Sequence, residues 1–217
     1  MINIPTFCIN VASSTYRWAT ITRRLTHDNI PVTRWDAATP STLGSLPYVH
    51  YLSAGQRACA KSHYDIWSYQ VTHSIPKIMV FEDDAVLRKD FVPIVNSKLA
   101  TIDEVDPDWD LLLLNAAEEV YPMNTWVNTR NQCMAAGYIL SLRGAKELVA
   151  LGKDTLYASD WMTQILQHRG HTYTMFPWLV IQDGSVSLIR GEPPTADWNK
   201  VVRLLDSVGY SLGNYNF

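Results

Sequence analysis

The sequence predicts one α/β domain with a mostly parallel central sheet and flanking helices, and three observations support this. Its 217 residues are 47% apolar and 18% charged, a composition typical of a compact domain with a substantial core. Short apolar runs alternate with helical patterns over the first half of the chain, as in strand–helix–strand units. Residues 77–81 are almost continuously apolar, which is typical of a strand buried on both faces of a sheet.

Hydrophobic periodicity and capping signals define the individual elements. Ser53 and Gln56 form a capping-box pattern, which predicts a long helix that ends near residue 73. Further helices are predicted from the Ser13–Ser14 caps to about 27, over 89–102 and 142–151, and from a Ser159 cap to 168. Strands are predicted over 6–11, 30–35, 77–81, 109–114, 134–141 and 173–176. Residues 1–190 are expected to form the domain, and residues 191–217 a C-terminal tail that is packed on it or partly flexible.

Charge and composition exclude several classes of protein. Lys and Arg number 18 against 21 Asp and Glu, a net charge of −3, so there is no basic field for nucleic acid. Cys8, Cys59 and Cys133 lack paired spacing, which predicts buried thiols in a reducing compartment. Residues 1–6 lack signal-peptide features, and the longest apolar runs fall short of the roughly 20 residues of a membrane-spanning helix. We expect a cytoplasmic protein without a transmembrane segment, which is compatible with peripheral membrane association.

Three consecutive carboxylates, Glu82, Asp83 and Asp84, follow the buried strand over residues 77–81. Neighbouring like charges destabilise a strand end, so their clustering suggests a bound cation. In an extended backbone Glu82 and Asp84 point to one side, where they could hold Mg²⁺ or Mn²⁺, ions that prefer oxygen ligands. The alternative is a solvated acidic turn before the next helix. Ligands of open α/β sheets bind beyond the carboxyl ends of strands, which is where this cluster is predicted to lie.

A series of short motifs occurs in a fixed order between residues 8 and 189. They are CINV (8–11) followed by Arg17, RWDAAT (34–39), LSAGQRACAKSH (52–63), VFEDDA (80–85), AGYILS (136–141) followed by Gly144 and Ala145, Ser159 with Asp160, and PWLVIQ (177–182) followed by Ser187 and Ile189. In this order and spacing the chain resembles the family-25 glycosyltransferases, which include bacterial lipooligosaccharide galactosyltransferases and collagen galactosyltransferase domains. It departs from their pattern where residues 12 and 13 lack an Asp-Arg pair, Gln56 replaces Glu, and Thr39 replaces Gly.

The resemblance implies a GT-A-type fold, a UDP-sugar donor and an inverting transfer to a hydroxyl of a glycan or glycoprotein, with galactose as the first choice of sugar. A departing UDP gathers negative charge, which a divalent ion stabilises. Asp84 is the predicted metal ligand, with Glu82 or alternatively Asp83 assisting. Inversion also needs a base that takes the proton of the acceptor hydroxyl. Asp160 is the candidate base, and its alternative role is that of a carboxylate favoured in the first turn of a helix.

The family match and the positions of the strand ends also predict a donor-binding set. It comprises Asn10, Arg17, Asp36, Lys61, His63, Glu82, Asp83 and Gln182. Three of these have ordinary structural alternatives: Arg17 as a surface helix charge, Asp36 as a turn residue, and His63 as a buried hydrogen-bonding group.

Three tryptophans and one polar segment are the candidates for acceptor binding. Trp126, Trp161 and Trp178 are candidate platforms for the acceptor, and core packing is the alternative for each. Residues 115–131, which include Glu118 and Glu119, are predicted to be mobile without ligand and to form either a lid or part of the acceptor groove.

Two other functions compete with glycosyl transfer. The first is a nucleotide-sugar or glycan-binding module of the same fold that has lost catalysis, which the departures at residues 12, 13 and 39 motivate. The second is a phosphodiesterase or nucleotidyl hydrolase that uses the same carboxylates. It ranks last because the sequence lacks the clustered His and Asp ligands of two-metal hydrolysis.

Overall fold

The computed structural model describes residues 2–115, 122–187, 189, 191 and 195–217. Its strands are β1 (Thr6–Asn10), β2 (Thr33–Asp36), β3 (Lys77–Glu82), β4 (Ala85–Leu87), β5 (Leu111–Leu113), β6 (Val127–Asn128), β7 (Gly137–Ser141), β8 (Thr172–Thr174) and β9 (Val180–Gln182). Its helices are α1 (Thr15–His27), α2 (Ala54–Thr72), α3 (Phe91–Val105), α4 (Leu142–Asp154), α5 (Ser159–Gln167) and α6 (Thr195–Asp206).

Seven strands form the central sheet in the order β2-β1-β3-β7-β5-β8-β6. β1 pairs in parallel with β2 and β3, and β5 pairs in parallel with β8. β7 runs antiparallel between β3 and β5, and β6 runs antiparallel to β8. Five strands therefore share one direction, which confirms the predicted mostly parallel sheet. β4 and β9, which the sequence pattern did not predict, form a separate antiparallel ribbon.

Helices cover both faces of the sheet, and β3 shows how its sequence permits this. Met79 and Phe81 belong to a core shared with α1 and α3, whereas Ile78 and Val80 belong to a core shared with α2, α4 and α5. Alternate side chains of a strand point to opposite faces, so a strand covered on both sides must be apolar throughout. This single-domain α/β arrangement is consistent with the GT-A-type fold that the resemblance implied.

The predicted capping box starts α2. The backbone N–H of Gln56 donates to the Ser53 hydroxyl at 3.2 Å, and the Gln56 side chain accepts from the Ser53 N–H at 2.9 Å. The predicted Ser159 cap is wrong by one position, because Ala158 is the N-cap and Ser159 is the first residue of α5. Neither α2 nor any other helix in the described ranges is long and apolar enough to cross a membrane.

The C-terminal segment packs on the β4–β9 ribbon. Val201 and Leu205 of α6 are buried in a cluster with Phe176, Trp178 and other residues. The Tyr215 hydroxyl donates to the carbonyl of Trp178 at 2.8 Å, so the end of the chain is tied to the ribbon as well. We expect this segment to fold together with the rest of the domain.

Replacement of Leu205 tests that expectation. Leu205 is 1% exposed, so Leu205→Ala should reduce the free energy of unfolding by about 2–5 kcal/mol, the usual cost of a buried Leu→Ala change. Val208→Ala is the control, because Val208 is 37% exposed and should change stability by less than about 0.5 kcal/mol. Urea unfolding followed by circular dichroism measures both variants. Equal unfolding free energies of Leu205→Ala and Val208→Ala would show that α6 does not pack into the core of the domain.

Candidate active site

A cleft of about 670 Å³ lies at the carboxyl ends of β1, β2 and β3. The first turns of α2 and α5 also line it, and so do residues 133–135, because β7 runs antiparallel to its neighbours and starts at this edge. The position agrees with the general location of ligand sites in open α/β sheets. Seven residues predicted from the sequence contribute to the lining: Asn10, Arg17, Glu82, Asp83, Asp84, Asp160 and Gln182.

Asp83 anchors the cleft and has both of its carboxylate oxygens engaged. Asn10 Nδ2 donates to Oδ2 at 2.6 Å, and Arg17 Nε donates to Oδ1 at 2.6 Å. Burial raises the pKa of Asp83, while Arg17 and Asn10 act in the opposite direction. Asp83 therefore joins β1, α1 and the end of β3, and its oxygens are already committed to these two partners.

Asp84 differs from Asp83 because one of its oxygens is unpartnered. Its Oδ2 accepts from Gln182 Nε2 at 3.2 Å and lies 3.2 Å from Arg17 Nη2. Its buried Oδ1 has no hydrogen-bond partner within the described part of the chain. Burial and the neighbouring Glu82 charge raise the pKa of Asp84 to about 7, and Arg17 opposes this shift.

Glu82 is held by a buried chain of hydrogen bonds. Its Oε1 lies 3.2 Å from His63 Nε2, His63 Nδ1 lies 2.9 Å from the Tyr138 hydroxyl, and Trp67 Nε1 donates to that hydroxyl at 2.9 Å. An indole N–H can only donate, so the Tyr138 hydroxyl accepts from Trp67 and has its own proton to offer to His63 Nδ1. In this arrangement, which satisfies every group of the chain, His63 carries its proton on Nε2 and donates it to Glu82 Oε1. The chain fixes the position of the Glu82 carboxylate at the cleft.

Two sets of residues could hold a metal ion, and they differ in chemistry. Ligand atoms of Cys59, His63 and Glu82 all lie within 4.8 Å of one another, but a sulfur ligand does not suit Mg²⁺ or Mn²⁺. Burial raises the pKa of the Cys59 thiol well above its usual range, and His63 Nε2 is already engaged by Glu82 Oε1 at 3.2 Å. Glu82 with the unpartnered Oδ1 of Asp84 fits a hard divalent ion better, because both offer carboxylate oxygens.

Asp160 lines the same cleft from the first turn of α5. Its Oδ1 accepts from the backbone N–H of Trp161 at 2.9 Å. Burial raises the pKa of Asp160, the Trp161 N–H opposes this shift, and the charge of Glu82 reinforces it. A raised pKa makes the carboxylate a stronger base once it is ionised.

Three members of the predicted donor-binding set lie outside the lining of the cleft. The Asp36 carboxylate is 79% exposed and pairs with Arg34 at 3.5 Å. Lys61 pairs with Asp65 on α2 at 2.6 Å. His63 is wholly buried behind the cleft and reaches it through Glu82. The geometry does not favour a direct donor contact for any of the three.

Sequence reasoning missed two cations near the cleft. Arg24 is buried on α1, where it donates to the Ala85 carbonyl at 3.0 Å and pairs with Asp183 at 3.3 Å. Its spacing of seven residues from Arg17 places both on one helix face, a signal that could have identified it. Lys200 of α6 lines the cleft, but it lies in the segment that the sequence analysis treated as a tail.

Residues 115–131 were predicted to form a lid or part of the acceptor groove, and none of the described residues of this segment, 115 and 122–131, lines the cleft. Residues 116–121, with Glu118 and Glu119, are outside the described residues, so the mobility of this segment stays a prediction. β6 pairs with β8 at the edge of the sheet. Trp126 Nε1 donates to the Lys98 carbonyl at 2.8 Å, so this part of the segment is tied to α3.

Removal of the Tyr138 hydroxyl tests the chain that holds Glu82. Tyr138→Phe deprives Trp67 of its acceptor and His63 of its donor, so we expect a loss of about 1–3 kcal/mol in unfolding free energy. The control is Tyr16→Phe, because Tyr16 is 82% exposed and its hydroxyl can bind water. Thermal and urea unfolding measure the free energy of unfolding of both variants. A Tyr138→Phe variant as stable as Tyr16→Phe would contradict the proposed proton arrangement.

Comparison with known proteins gives one family match. The family model described as "Glycosyltransferase family 25 (LPS biosynthesis protein)" matches residues 3–163. The match includes β1, the acidic cluster after β3, and Asp160 at the start of α5.

Curated relatives include proteins of different activity. The chain is 30% identical over 106 residues to the probable inactive glycosyltransferase 25 family member 3 of Bos taurus. The aligned region covers 46% of this chain and 18% of the relative. It is 28% identical to procollagen galactosyltransferase 2 of Homo sapiens, over 45% of this chain and 17% of the relative. It is 25% identical to the lipooligosaccharide biosynthesis protein lic2B of Haemophilus influenzae, over 83% of this chain and 76% of the relative. The chain thus spans less than a fifth of the bovine and human proteins.

Proposed function

Because the chain belongs to glycosyltransferase family 25, we propose that it transfers a hexose, galactose as the first choice, from a UDP-sugar to a hydroxyl of a glycan or glycoprotein, with inversion and with a divalent metal ion. The observation that carries this proposal is the buried Oδ1 of Asp84, near Glu82, which has no hydrogen-bond partner among the residues that the structure describes. It lies in a cleft that Asp160 also lines. A cation-binding carboxylate pair and a separate candidate base are the two groups that such a transfer requires.

The leaving group is bound at the acidic cluster. Glu82 and Asp84 would hold Mn²⁺ or Mg²⁺, which supplies positive charge to the diphosphate as it departs. Arg17 lies within 3.2 Å of Asp84 and supplies a fixed positive charge from α1 at the same place. Asp83 orients Arg17 through the 2.6 Å contact, so it acts on the donor indirectly.

Asp160 accepts the proton of the acceptor hydroxyl. The acceptor oxygen forms a new bond to the anomeric carbon while the bond from that carbon to the UDP oxygen breaks, and the hydroxyl proton passes to the Asp160 carboxylate. UDP leaves with the electron pair of the broken bond. The raised pKa of Asp160, caused mainly by burial, suits this role because it brings the basicity of the group closer to neutral pH.

Related proteins support the choice of sugar and acceptor. One relative is named procollagen galactosyltransferase 2 and another a lipooligosaccharide biosynthesis protein, which agrees with galactose as donor sugar and with a glycan or glycoprotein as acceptor. A binding module without catalysis is the second candidate. It is favoured by the similarity to a probable inactive relative and by Arg17, which already occupies the space beside Asp83 and Asp84.

Substitution of Asp84 tests the metal site. Asp84→Asn should weaken UDP binding in the presence of Mn²⁺ by at least about 10-fold. Mutation of a residue that only hydrogen-bonds a metal ligand already lowers metal affinity by this factor, and loss of the ligand itself should cost no less. Isothermal titration calorimetry with UDP and MnCl₂ measures it, and EDTA should stop transfer until Mn²⁺ is restored. Asp108→Asn is the control, since Asp108 is exposed and precedes β5 at the opposite edge of the sheet. Equal affinity of the two variants would refute the assignment of Asp84.

Substitution of Asp160 separates catalysis from binding. Asp160→Asn should lower the turnover of UDP-galactose about 10²- to 10⁴-fold, because a general base contributes that much. Its affinity for UDP with Mn²⁺ should stay at the wild-type value, since Asp160 contacts the acceptor side. Turnover is measured as UDP release, and the affinity for UDP is measured by calorimetry. Wild-type turnover in this variant would exclude Asp160 as the base, and UDP binding without any turnover in the wild type would favour the binding module.

A further inference from the structure

The structure separates the three tryptophans that the sequence proposed as acceptor platforms. Trp178 is wholly buried, and Trp126 is partly buried with its indole N–H bound to a backbone carbonyl. Trp161 is 46% exposed at the start of α5, and nearby Tyr51 is 53% exposed. Of the three, only Trp161 therefore presents a large aromatic surface to solvent.

Trp161 and Tyr51 form a pair with His50 next to them. The ring centroids of Tyr51 and Trp161 are 6.0 Å apart with an interplanar angle of 57°, and the His50 ring lies edge-on to Tyr51 at 5.5 Å. We call these three residues the aromatic rim. Two half-exposed rings in mutual contact form a continuous apolar surface, whereas isolated exposed apolar side chains are common and carry no information.

The aromatic rim adjoins residues that line the cleft, although its own three residues are not part of the lining. Trp161 directly follows Asp160, which lines the cleft, and its backbone N–H is bound to the Asp160 carboxylate at 2.9 Å. Tyr51 lies just before the N-cap of α2, and Gly55 and Gln56 in the first turn of that helix line the cleft. Trp161 therefore lies directly beside the candidate base, just outside the lining of the cleft.

Both halves of the rim are held in place by the fold. Trp161 is in the first turn of α5, which buries Met162 and Leu166 in the core. Arg57 of α2 donates to the His50 carbonyl at 3.1 Å and stacks over the Tyr48 ring at 5.8 Å. A surface fixed in this way needs little reordering when a ligand binds, which favours affinity.

We propose that Tyr51 and Trp161 form the binding subsite for a sugar ring of the acceptor, an inference that rests on the proposed function. The C–H bonds on one face of a pyranose ring carry partial positive charge, which the negative face of an aromatic ring attracts. A sugar stacked on the rim lies beside Asp160, the group that would take the proton of its hydroxyl. The diphosphate of the donor binds at the acidic cluster, so the two substrates occupy different parts of one cleft.

Saturation-transfer NMR with three probes tests the subsite: methyl β-D-galactopyranoside, methyl β-D-glucopyranoside and methyl N-acetyl-β-D-glucosaminide, each with UDP and the diamagnetic ion Mg²⁺ present. The wild type should transfer saturation to the ring C–H protons of at least one of them. Tyr51→Leu and Trp161→Leu should weaken its binding about 3- to 10-fold, the fold-change that corresponds to the worth of an aromatic contact. Trp161→Phe, which retains a flat ring, should lose less than Trp161→Leu. Phe217→Leu is the matched control, because Phe217 is 50% exposed in the C-terminal segment.

The outcomes distinguish this inference from the proposed function. Leucine variants that bind the probe as tightly as Phe217→Leu overturn the subsite, and so does a wild type that shows no transfer to any probe. An equal loss in Trp161→Phe and Trp161→Leu also overturns it, because apolar contact rather than ring stacking would then explain the binding. UDP and Mn²⁺ binding by calorimetry should be unchanged in all four variants. If the wild type itself fails to bind UDP with Mn²⁺, the proposed function fails, whatever the glycoside titrations show.

Discussion

The structure depends on how three adjacent carboxylates are accommodated at the end of one buried strand. Each carboxylate has different partners: Glu82 contacts His63, Asp83 accepts from Asn10 and Arg17, and Asp84 pairs with the same Arg17 and accepts from Gln182. Charges this close would otherwise repel one another in a poorly solvated place. Within the described residues, Oδ1 of Asp84 is the one carboxylate oxygen of this cluster that is buried without a hydrogen-bond partner.

These partners come from both layers of the domain. Arg17 belongs to α1 on one face of the sheet, whereas His63 belongs to α2 on the other. β3 lies between β1 and β7 in the middle of the sheet, so its carboxyl end is within reach of helices from both sides. Gln182 of β9 and Lys200 of α6 add groups from the last part of the chain. The cleft is therefore a property of the whole fold, and its charge balance cannot be assigned to one motif.

The cleft also divides into two chemical regions. The acidic cluster with Arg17 combines fixed negative and positive charges, which suits a metal-bound diphosphate under the proposed function. The start of α5 presents Asp160 to the cleft and the Trp161 ring to its border. One helix turn thus directs a carboxylate into the cleft and an aromatic ring away from it, because consecutive residues of a helix point about 100° apart.

The sequence by itself determined the α/β class, the apolar β3, the start of α2 and the acidic cluster, because periodicity, capping and charge runs are local properties of the chain. The tertiary structure alone decided the reversed direction of β7, the burial of His63 behind the cleft and the exposure of Asp36. It also decided that Trp161 is exposed while Trp178 is buried. These outcomes depend on which distant segments meet, and contacts such as those between Glu82, His63 and Tyr138 join residues whose pairing no local pattern encodes.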